Sequence, residues 1–462
     1  MDTIIVGKGA AGLSLSVEIK KSEDHNLIGF VDDNKSDVLG KIIDLPIVIE
    51  NYKVEAIYIA MPSVDKDVIT EICELVNQAD VKVKILPSFA DIIQHGNVSL
   101  AKTKKIEIAD LLGRPLVKQD FNFIKGQLRG KSILISGAAG SIGSELSYQV
   151  ALSDPEKLIC LDKAETPLFR LQHKLKQFDC IDYVIGDLMN EVKLNQIFEQ
   201  HNVDIVLHAA AYKHVPLMED NPDEAIRNNI QGSDILLRAA CEHKIPNIVL
   251  VSTDKAVNPT NVMGASKRVV EKLMEYYTNV FPSSKISAVR FGNVIKSDGS
   301  VVQMFEERIK EGKSLPITHK EITRFFMTVE EAAQLILISA FQGATNEIFI
   351  LDMGEPIKIA DLAKKMILLS GKTPFVEIGI SYVGLRPGEK LYEEILVDKS
   401  SAIKTKNQKL FIAKKEEAFE VETFFKDMSW LLLNLPSLSN KDIKEYLMKL
   451  VPTYSPSAHE TC

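Results

Sequence analysis

Short runs of β-branched and aliphatic residues recur along the chain, each closed by glycine or an acidic residue and followed by a stretch whose apolar positions lie three and four apart. This alternation opens twice. Thr3-Ile4-Ile5-Val6 runs into Gly7-Lys8-Gly9-Ala10-Ala11-Gly12, and Lys131-Ser132-Ile133-Leu134-Ile135-Ser136 runs into Gly137-Ala138-Ala139-Gly140-Ser141-Ile142-Gly143. A short strand, a glycine turn and then a helical pattern is the βα opening of a doubly wound parallel sheet. The pattern predicts an α/β protein with two Rossmann-type units, the second carrying a smaller C-terminal lobe.

The first unit, 1–96, shows further strands at 27–31, 56–59 and 82–86 and helices at 13–19 and 64–79. Residues 97–130, with Asp110-Leu111-Leu112-Gly113-Arg114-Pro115, are irregular and read as a connector. In 131–290, strands at 157–161, 181–185, 205–208, 247–251 and 286–290 alternate with helices at 194–200, 226–242 and 266–280, which predicts a parallel sheet covered on both faces. Beyond Arg290 the alternation breaks. Charged and glycine-rich loops there interleave with helices at 329–341 and 359–369, so 291–440 reads mainly as a substrate-binding lobe and 441–462 as a tail without a motif.

Composition narrows the function. At 462 residues, 45% hydrophobic and 26% charged, the chain is ordinary globular protein and not a disordered or disulfide-built one. A net charge of −8 without a long basic block removes the electrostatic footprint of a general nucleic-acid binder. Cys73, Cys160, Cys180, Cys241 and Cys462 are scattered, which suits reduced thiols and neither zinc nor redox pairs. No apolar window approaches the ~18 residues of a membrane span, so a soluble, cytoplasmic chain is expected. No metal is expected either, and His208 and His214 read as packed strand-end residues.

Gly137, Gly140 and Gly143 let backbone N–H groups and a helix start approach a pyrophosphate without an intervening Cβ. Asp162 ends the next strand, about 20 residues on, where a carboxylate accepts from a ribose 2′-hydroxyl. Gly186-Asp187-Leu188 lies at another strand end. Together these predict a bound dinucleotide, NAD over NADP, although Lys163 could pair with a 2′-phosphate. The next group is Thr253-Asp254-Lys255 at a strand end, followed by Met263 and Lys267. One helical turn separates the last two, the spacing of the tyrosine and lysine in short-chain dehydrogenases. A thioether exchanges no proton, so the site is either inert or uses another group. Asp254 and Lys255, at a strand end facing the crevice, argue for the second. In the first unit Gly7, Gly9 and Gly12 with Asp32 satisfy the same fingerprint without further chemistry, leaving a structural or regulatory module, a UDP-sugar site or an NAD site open.

Over nearly its whole length the chain resembles the long nucleotide-sugar 4,6-dehydratases of bacterial polysaccharide and glycan synthesis, in the extended short-chain dehydrogenase superfamily. The resemblance rests on Gly137–Leu146, His208-Ala209-Ala210-Ala211-Tyr212-Lys213-His214-Val215-Pro216, Thr253-Asp254-Lys255, Met263-Gly264-Ala265-Ser266-Lys267, Arg290-Phe291-Gly292-Asn293-Val294, Thr323-Arg324-Phe325-Phe326-Met327 and Gly384-Leu385-Arg386-Pro387-Gly388-Glu389-Lys390-Leu391. It implies tightly bound NAD, contacted by Gly137, Gly140, Ser141, Ile142, Gly143, Asp162, Lys163, Asp187, Leu188, Ala209, Ala210, Ala211 and Lys267. It implies UDP-N-acetylglucosamine as substrate and UDP-2-acetamido-2,6-dideoxy-4-hexulose as product, through C4 oxidation, loss of water across C5–C6 and reduction at C6.

On that resemblance Asp254, protonated, donates to O6; Lys255, with a depressed pKa, takes the C5 proton; Thr253 bonds near O4; and Lys213, Asn293, Arg324, Arg386 and Glu389 hold the UDP-sugar. The O4 base stays open between Lys267 and water. The long members retain configuration at C5 and dimerise through a helix pair, and both are expected here. They also carry transmembrane helices before the first Rossmann unit, whereas this chain starts at that unit. An inverting dehydratase, a UDP-hexose 4-epimerase and an inert NAD(H)-sensing protein are the alternatives.

Overall fold

The computed structural model describes residues 1–62, 64–77, 79, 81–86, 100, 103–112, 121–394, 402–414 and 419–456. Gly113-Arg114-Pro115 of the expected connector and Cys462 lie outside the described residues. The chain divides into two compact units.

The first unit comprises Met1–Lys118 with Gly299–Glu321 and Ile357–Val383. Strands β1 (Asp2–Val6), β2 (Asn26–Val31), β3 (Ala56–Ile59), β4 (Lys82–Ile85) and β5 (Lys104–Lys105) form a sheet in the order β2-β1-β3-β4-β5, parallel except for β5. Strands covered on both faces are apolar runs, not alternating ones. Ile4, Val6, Ile57 and Ile59 face one side and pack with Ile69, Ile72 and Cys73; Ile5, Ala56 and Tyr58 face the other and pack with Leu15 and Ile19. Helices α1 (Ala10–Lys21) and α3 (Lys66–Val76) supply those partners. The intervening α2 (Leu45–Tyr52) was not expected: Ile47 is exposed while Leu45, Val48 and Ile49 are buried, so its sequence carries no clean helical period.

The second unit comprises Gln119–Asp298, Ile322–Pro356 and Gly384–Cys462. Its parallel strands are β6 (Ser132–Ser136), β7 (Lys157–Asp162), β8 (Ile181–Ile185), β9 (Ile205–His208), β10 (Asn247–Val251), β11 (Lys285–Arg290) and β12 (Glu347–Leu351). Strands β13 (Ala402–Lys404) and β14 (Leu410–Ala413) add antiparallel to the β12 edge. The order is β13-β14-β12-β11-β10-β9-β6-β7-β8, so it reverses between β6 and β9, the place where a doubly wound sheet opens its ligand crevice.

Three boundaries read from the sequence change. The 97–130 connector is divided between the units at 118/119 and is not irregular throughout, because Phe121–Leu128 is a helix that buries Ile124 and Leu128. The 291–440 stretch is no unit of its own, because 299–321 and 357–383 group with the first unit and β12 extends the main sheet. The expected tail from 441 is largely helix. Helices α6 (Val421–Asn434) and α7 (Asn440–Leu450) bury Phe424, Met428, Leu431, Ile443 and Leu447 in the core that also holds the long helix α5 (Val262–Val280). Ser439 and Asp442 close a capping box at the start of α7, which makes it a well-defined helix. Among the described residues no helix is long and apolar enough to cross a membrane.

Candidate active site

The glycine turn after β6 is built for close backbone approach. Gly137 has φ +68, and a Cβ there would lie 2.6 Å from Ala210 Cα. A Cβ on Gly143 would lie 2.0 Å from the Gly137 carbonyl oxygen, so only glycine lets helix α4 (Ser141–Ala151) start this close to the strand. Asp162 pins the turn from β7: its Oδ2 accepts the Ala139 N–H at 2.9 Å and its Oδ1 the Ala164 N–H at 2.9 Å. The cradle that a side chain would fill, the helix start and the placed carboxylate fit the expected dinucleotide.

Around it, Ala209 donates its N–H to Ser136 O, and Asp187 Oδ1 accepts from Met189 N–H. Leu188 is buried, Ile142 half-buried, and Ser141 Oγ accepts the Asp298 N–H. Lys163 is already committed, donating to Tyr212 OH at 2.7 Å and Asn228 Oδ1 at 2.8 Å over the Tyr212 ring. This tether, and not a free cation awaiting a 2′-phosphate, is its role in the structure.

Pairing between β10 and β11 continues past the strand ends, Ser252 N–H to Val289 O and Asp254 N–H to Phe291 O, and this carries Thr253-Asp254-Lys255 to the sheet edge. Asp254 is 1% exposed. Its Oδ1 accepts from Thr253 Oγ1 at 2.8 Å and Lys255 Nζ at 3.0 Å; its Oδ2 is buried without a partner among the described residues. A Cβ on Gly292 would stand 3.3 Å from that open oxygen. Lys255 Nζ also reaches Asn293 Oδ1 at 3.4 Å and Glu393 Oε1 at 3.5 Å.

The expectation of a depressed pKa at Lys255 is overturned. Burial alone would lower it, but Asp254 and Glu393 outweigh burial and raise it, so the resting side chain is an ammonium.

Met263 and Lys267 stack one turn apart on α5, both buried. Burial lowers Lys267 to about 8, against the pull of Glu271, and its Nζ makes no hydrogen bond among the described residues. One turn further on, Glu271 receives a bidentate pair from Arg290 (2.7 and 2.7 Å), a bond from Ser252 Oγ (2.7 Å) and one from Arg268 (3.0 Å). Burial opposes the charge, yet these partners hold the carboxyl at about 2. The network locks Ser252, and with it the start of the Thr253-Asp254-Lys255 turn, to α5 and β11.

The residues expected on the nucleotide sugar separate. Asn293 joins the Lys255 cluster. Arg324 is 6% exposed and spent on structure, donating to the carbonyls of Thr323, Leu391 and Lys390 and to Glu389 Oε1 at 3.2 Å. Arg386 is exposed and pairs only loosely with Glu389 Oε2, at 3.5 Å. Lys213 donates to Asp298 O at 2.7 Å, outside the Lys255 cluster. His208 is packed as expected, between Ser136 Oγ and Ser233 Oγ, with burial lowering it to about 3. His214 is not packed but exposed, at the N-cap of Val215–Asp220.

Two site residues went unread in the sequence. Glu271 had a signal, a carboxylate among Val269, Val270, Leu273 and Met274 on the apolar side of its helix. Glu393, in Tyr392-Glu393-Glu394, had none, since paired glutamates after a charged loop look like solvated surface.

The profile of the polysaccharide biosynthesis protein family matches residues 133–415. The capsular polysaccharide biosynthesis protein CapD of Staphylococcus aureus is 38% identical over 97% of this chain and 76% of its own length. An inverting UDP-N-acetylglucosamine 4,6-dehydratase of Campylobacter jejuni is 35% identical over 57% of this chain and 77% of its own. The solved structure of DesIV, a dTDP-glucose 4,6-dehydratase from Streptomyces venezuelae with NAD bound, superposes with a TM-score of 0.53 over 67% of this chain and 99% of that one; at 19% identity it shows the fold. The match across the glycine turn, the Asp254-Lys255 pair and the strands that carry them means that this chain belongs to the polysaccharide biosynthesis protein family, with the extended short-chain dehydrogenase core of nucleotide-sugar dehydratases and epimerases.

Proposed function

We propose that this protein is a UDP-N-acetylglucosamine 4,6-dehydratase, a hydro-lyase that retains configuration at C5. The observation that carries the reading is the Asp254–Lys255 pair, its carboxylate buried and its lysine partly so, 3.0 Å apart, at a strand end of the NAD-type fold. Bound NAD would supply the hydride acceptor at C4 and the donor at C6. The residues that fit it are Gly137, Gly140 and Gly143 for the pyrophosphate, Asp162 for the ribose and Lys267 for the nicotinamide ribose. Tight retention is part of the proposal, because a cofactor regenerated in each cycle has no need to leave.

Elimination needs one proton taken from C5 and one delivered to O6. Asp254 and Lys255 share a proton across one hydrogen bond. With the ammonium as the resting form, Lys255 can deliver to O6; transfer of the proton to Asp254 gives the reverse assignment, a carboxylic acid for O6 and a neutral amine for C5. Thr253, bonded to Asp254, orients the pair. Met263 can exchange no proton, which leaves Lys267, near neutrality, as the titratable group of that helix face for O4. Arg386, exposed at the edge of the cluster, and Lys213 are the cations proposed for the diphosphate.

The test is incubation with UDP-N-acetylglucosamine. One water lost by mass, a single deuterium at C5 in D₂O and a D-xylo ring in the proton spectrum are expected. Retention rests on the resemblance to the long, retaining members, whose length the alignment with CapD along 97% of the chain matches; an L-arabino first product would overturn it. A 4-epimerase needs no elimination pair, and C4 inversion without water loss would identify one.

A further inference from the structure

Glu393 is the third charged member of the Lys255 cluster, and its position is held from several sides. Gly388 O accepts from Thr260 Oγ1 at 3.0 Å and Asn261 Nδ2 at 3.1 Å; Lys390 Nζ donates to Val257 O at 3.1 Å; Arg324 donates to Lys390 O at 2.8 Å. The segment is thereby stapled to the loop between Lys255 and α5. Glu393, with a side chain 3% exposed, points its Oε1 at both Lys255 Nζ (3.5 Å) and Arg324 Nε (3.7 Å). Its Oε2 is buried with no partner among the described residues, as is Oδ2 of Asp254. Lys255 therefore lies between two buried carboxylates, each spending one oxygen on it and leaving the other open. A buried acceptor left open is costly, and such cost concentrates where a proton or ligand is to arrive.

We propose that Glu393 is a positioning residue of the acid–base pair: it holds the ammonium of Lys255 between itself and Asp254 and so sets which member of the pair carries the shared proton. The assignment rests on the dehydratase reading for its catalytic meaning but not for its physical content. The charged groups facing Lys255 are Asp254 from its own turn, Glu393 from the 384–394 segment and Arg324 from Thr323–Arg324; Asn293 adds a neutral acceptor. Removing the Glu393 charge leaves Arg324 less opposed, and the neutral amine becomes easier to reach.

Competitive acetylation of the full chain with trace acetic anhydride tests this, because only the neutral amine reacts. The Lys255 peptide is read by mass against Lys441, whose side chain is 84% exposed. E393Q, nearly isosteric, should lower the pH midpoint of Lys255 labelling by about one unit, about a tenfold faster reaction at pH 9. E393D, with its charge one methylene back, should fall between; it also serves if E393Q does not fold. An unmoved midpoint in a folded E393Q or E393D protein overturns the proposal. In turnover, the limb of the pH profile governed by Lys255 should move to lower pH in E393Q, whereas a merely structural role would scale the profile without moving it. If the parent releases no water from UDP-N-acetylglucosamine, the substrate reading fails while the labelling midpoints still decide the role of Glu393.

Discussion

Both units carry a strand, a glycine turn and a helix in succession, and the two turns differ in what closes them. In the second, Gly137 lies against the backbone of Ala209 and Ala210, and the residue whose N–H is pinned by Asp162 is Ala139. In the first, Gly7 has φ +101 and lies against the Met61 side chain, 2.4 Å from where its Cβ would be. The residue pinned by Asp32, at 2.7 Å, is Lys8, whose ammonium folds back onto the carbonyls of Ser36 and Asp37. Small residues leave one turn open to a pyrophosphate; long side chains occupy the neighbourhood of the other. The sheets differ as well. The order β2-β1-β3-β4-β5 is of the flavodoxin type, and the second unit has the dinucleotide-binding order. Glycine spacing is necessary for the cradle, and the residues opposite decide whether it is free.

The sharpest way to break this comparison is at the turns. Gly137→Val should abolish nucleotide retention, because its side chain meets Ala210 and φ +68 is unfavourable to a β-branched residue. Gly7→Val should leave the nucleotide released from denatured protein at the parent stoichiometry. Loss of NAD from the Gly7 variant alone would assign the cofactor to the wrong unit.

Next in size is the chemistry. Asp254→Asn and Lys255→Met should each cut turnover by ~10²–10⁴-fold, whereas Asp32→Asn, at the equivalent fingerprint of the first unit, should stay within a few-fold. Either catalytic variant keeping near-parent turnover would sink that residue's role.

Stability separates the units further. Arg290→Met takes the bidentate partner from buried Glu271, leaving it Arg268 and Ser252, and should cost up to about 3–5 kcal/mol by denaturant titration. Lys104→Met breaks only the partly exposed Lys104–Asp110 pair of the first unit and should cost about 0–1 kcal/mol. Glu271 also sets an acid limit. Its folded pKa of about 2 lies below the unfolded carboxylate value, so its contribution is present above about pH 4.5 and is lost as pH falls towards 2. In Arg290→Met that slope should flatten.

An effect about as small is expected of Gly9→Ala. Gly9 caps α1 with an extended backbone, nothing lies within 4 Å of its Cβ, and the change should move stability by no more than a few tenths of a kcal/mol to about 1. A large loss there would mean that the first turn is more constrained than its open Cβ direction implies.

Local pattern carried most of the architecture. Buried parallel strands are apolar runs bounded by glycine and acidic residues, so β1, β3, β6, β9, β10 and β11 were legible, and so were the glycine turn, Asp162 and the Thr253-Asp254-Lys255 group. Two helices escaped: α2 opens on five apolar residues in a row, Leu45–Ile49, which hide its period, and α7, although Ile443, Leu447 and Leu450 recur at helical spacing, looked like a tail because the helix it packs on, Val262–Val280, is far away in the chain. The ion pairs escaped for the same reason. Arg324 had the chemistry of a phosphate ligand and is instead consumed by the backbone of 390–391 and by Glu389.

By itself the sequence determined where strands and helices could form and which turns could tolerate a close backbone, because both follow from neighbours within a few residues. Only the tertiary structure decided what each charge meets. Lys255 is held as an ammonium by its neighbour Asp254 together with Glu393, 138 residues away, and Glu271 is charged because Arg290 comes to its helix from strand β11. Charge states are set by burial and by the few groups within about 4–6 Å, and those distances exist only once the chain has folded.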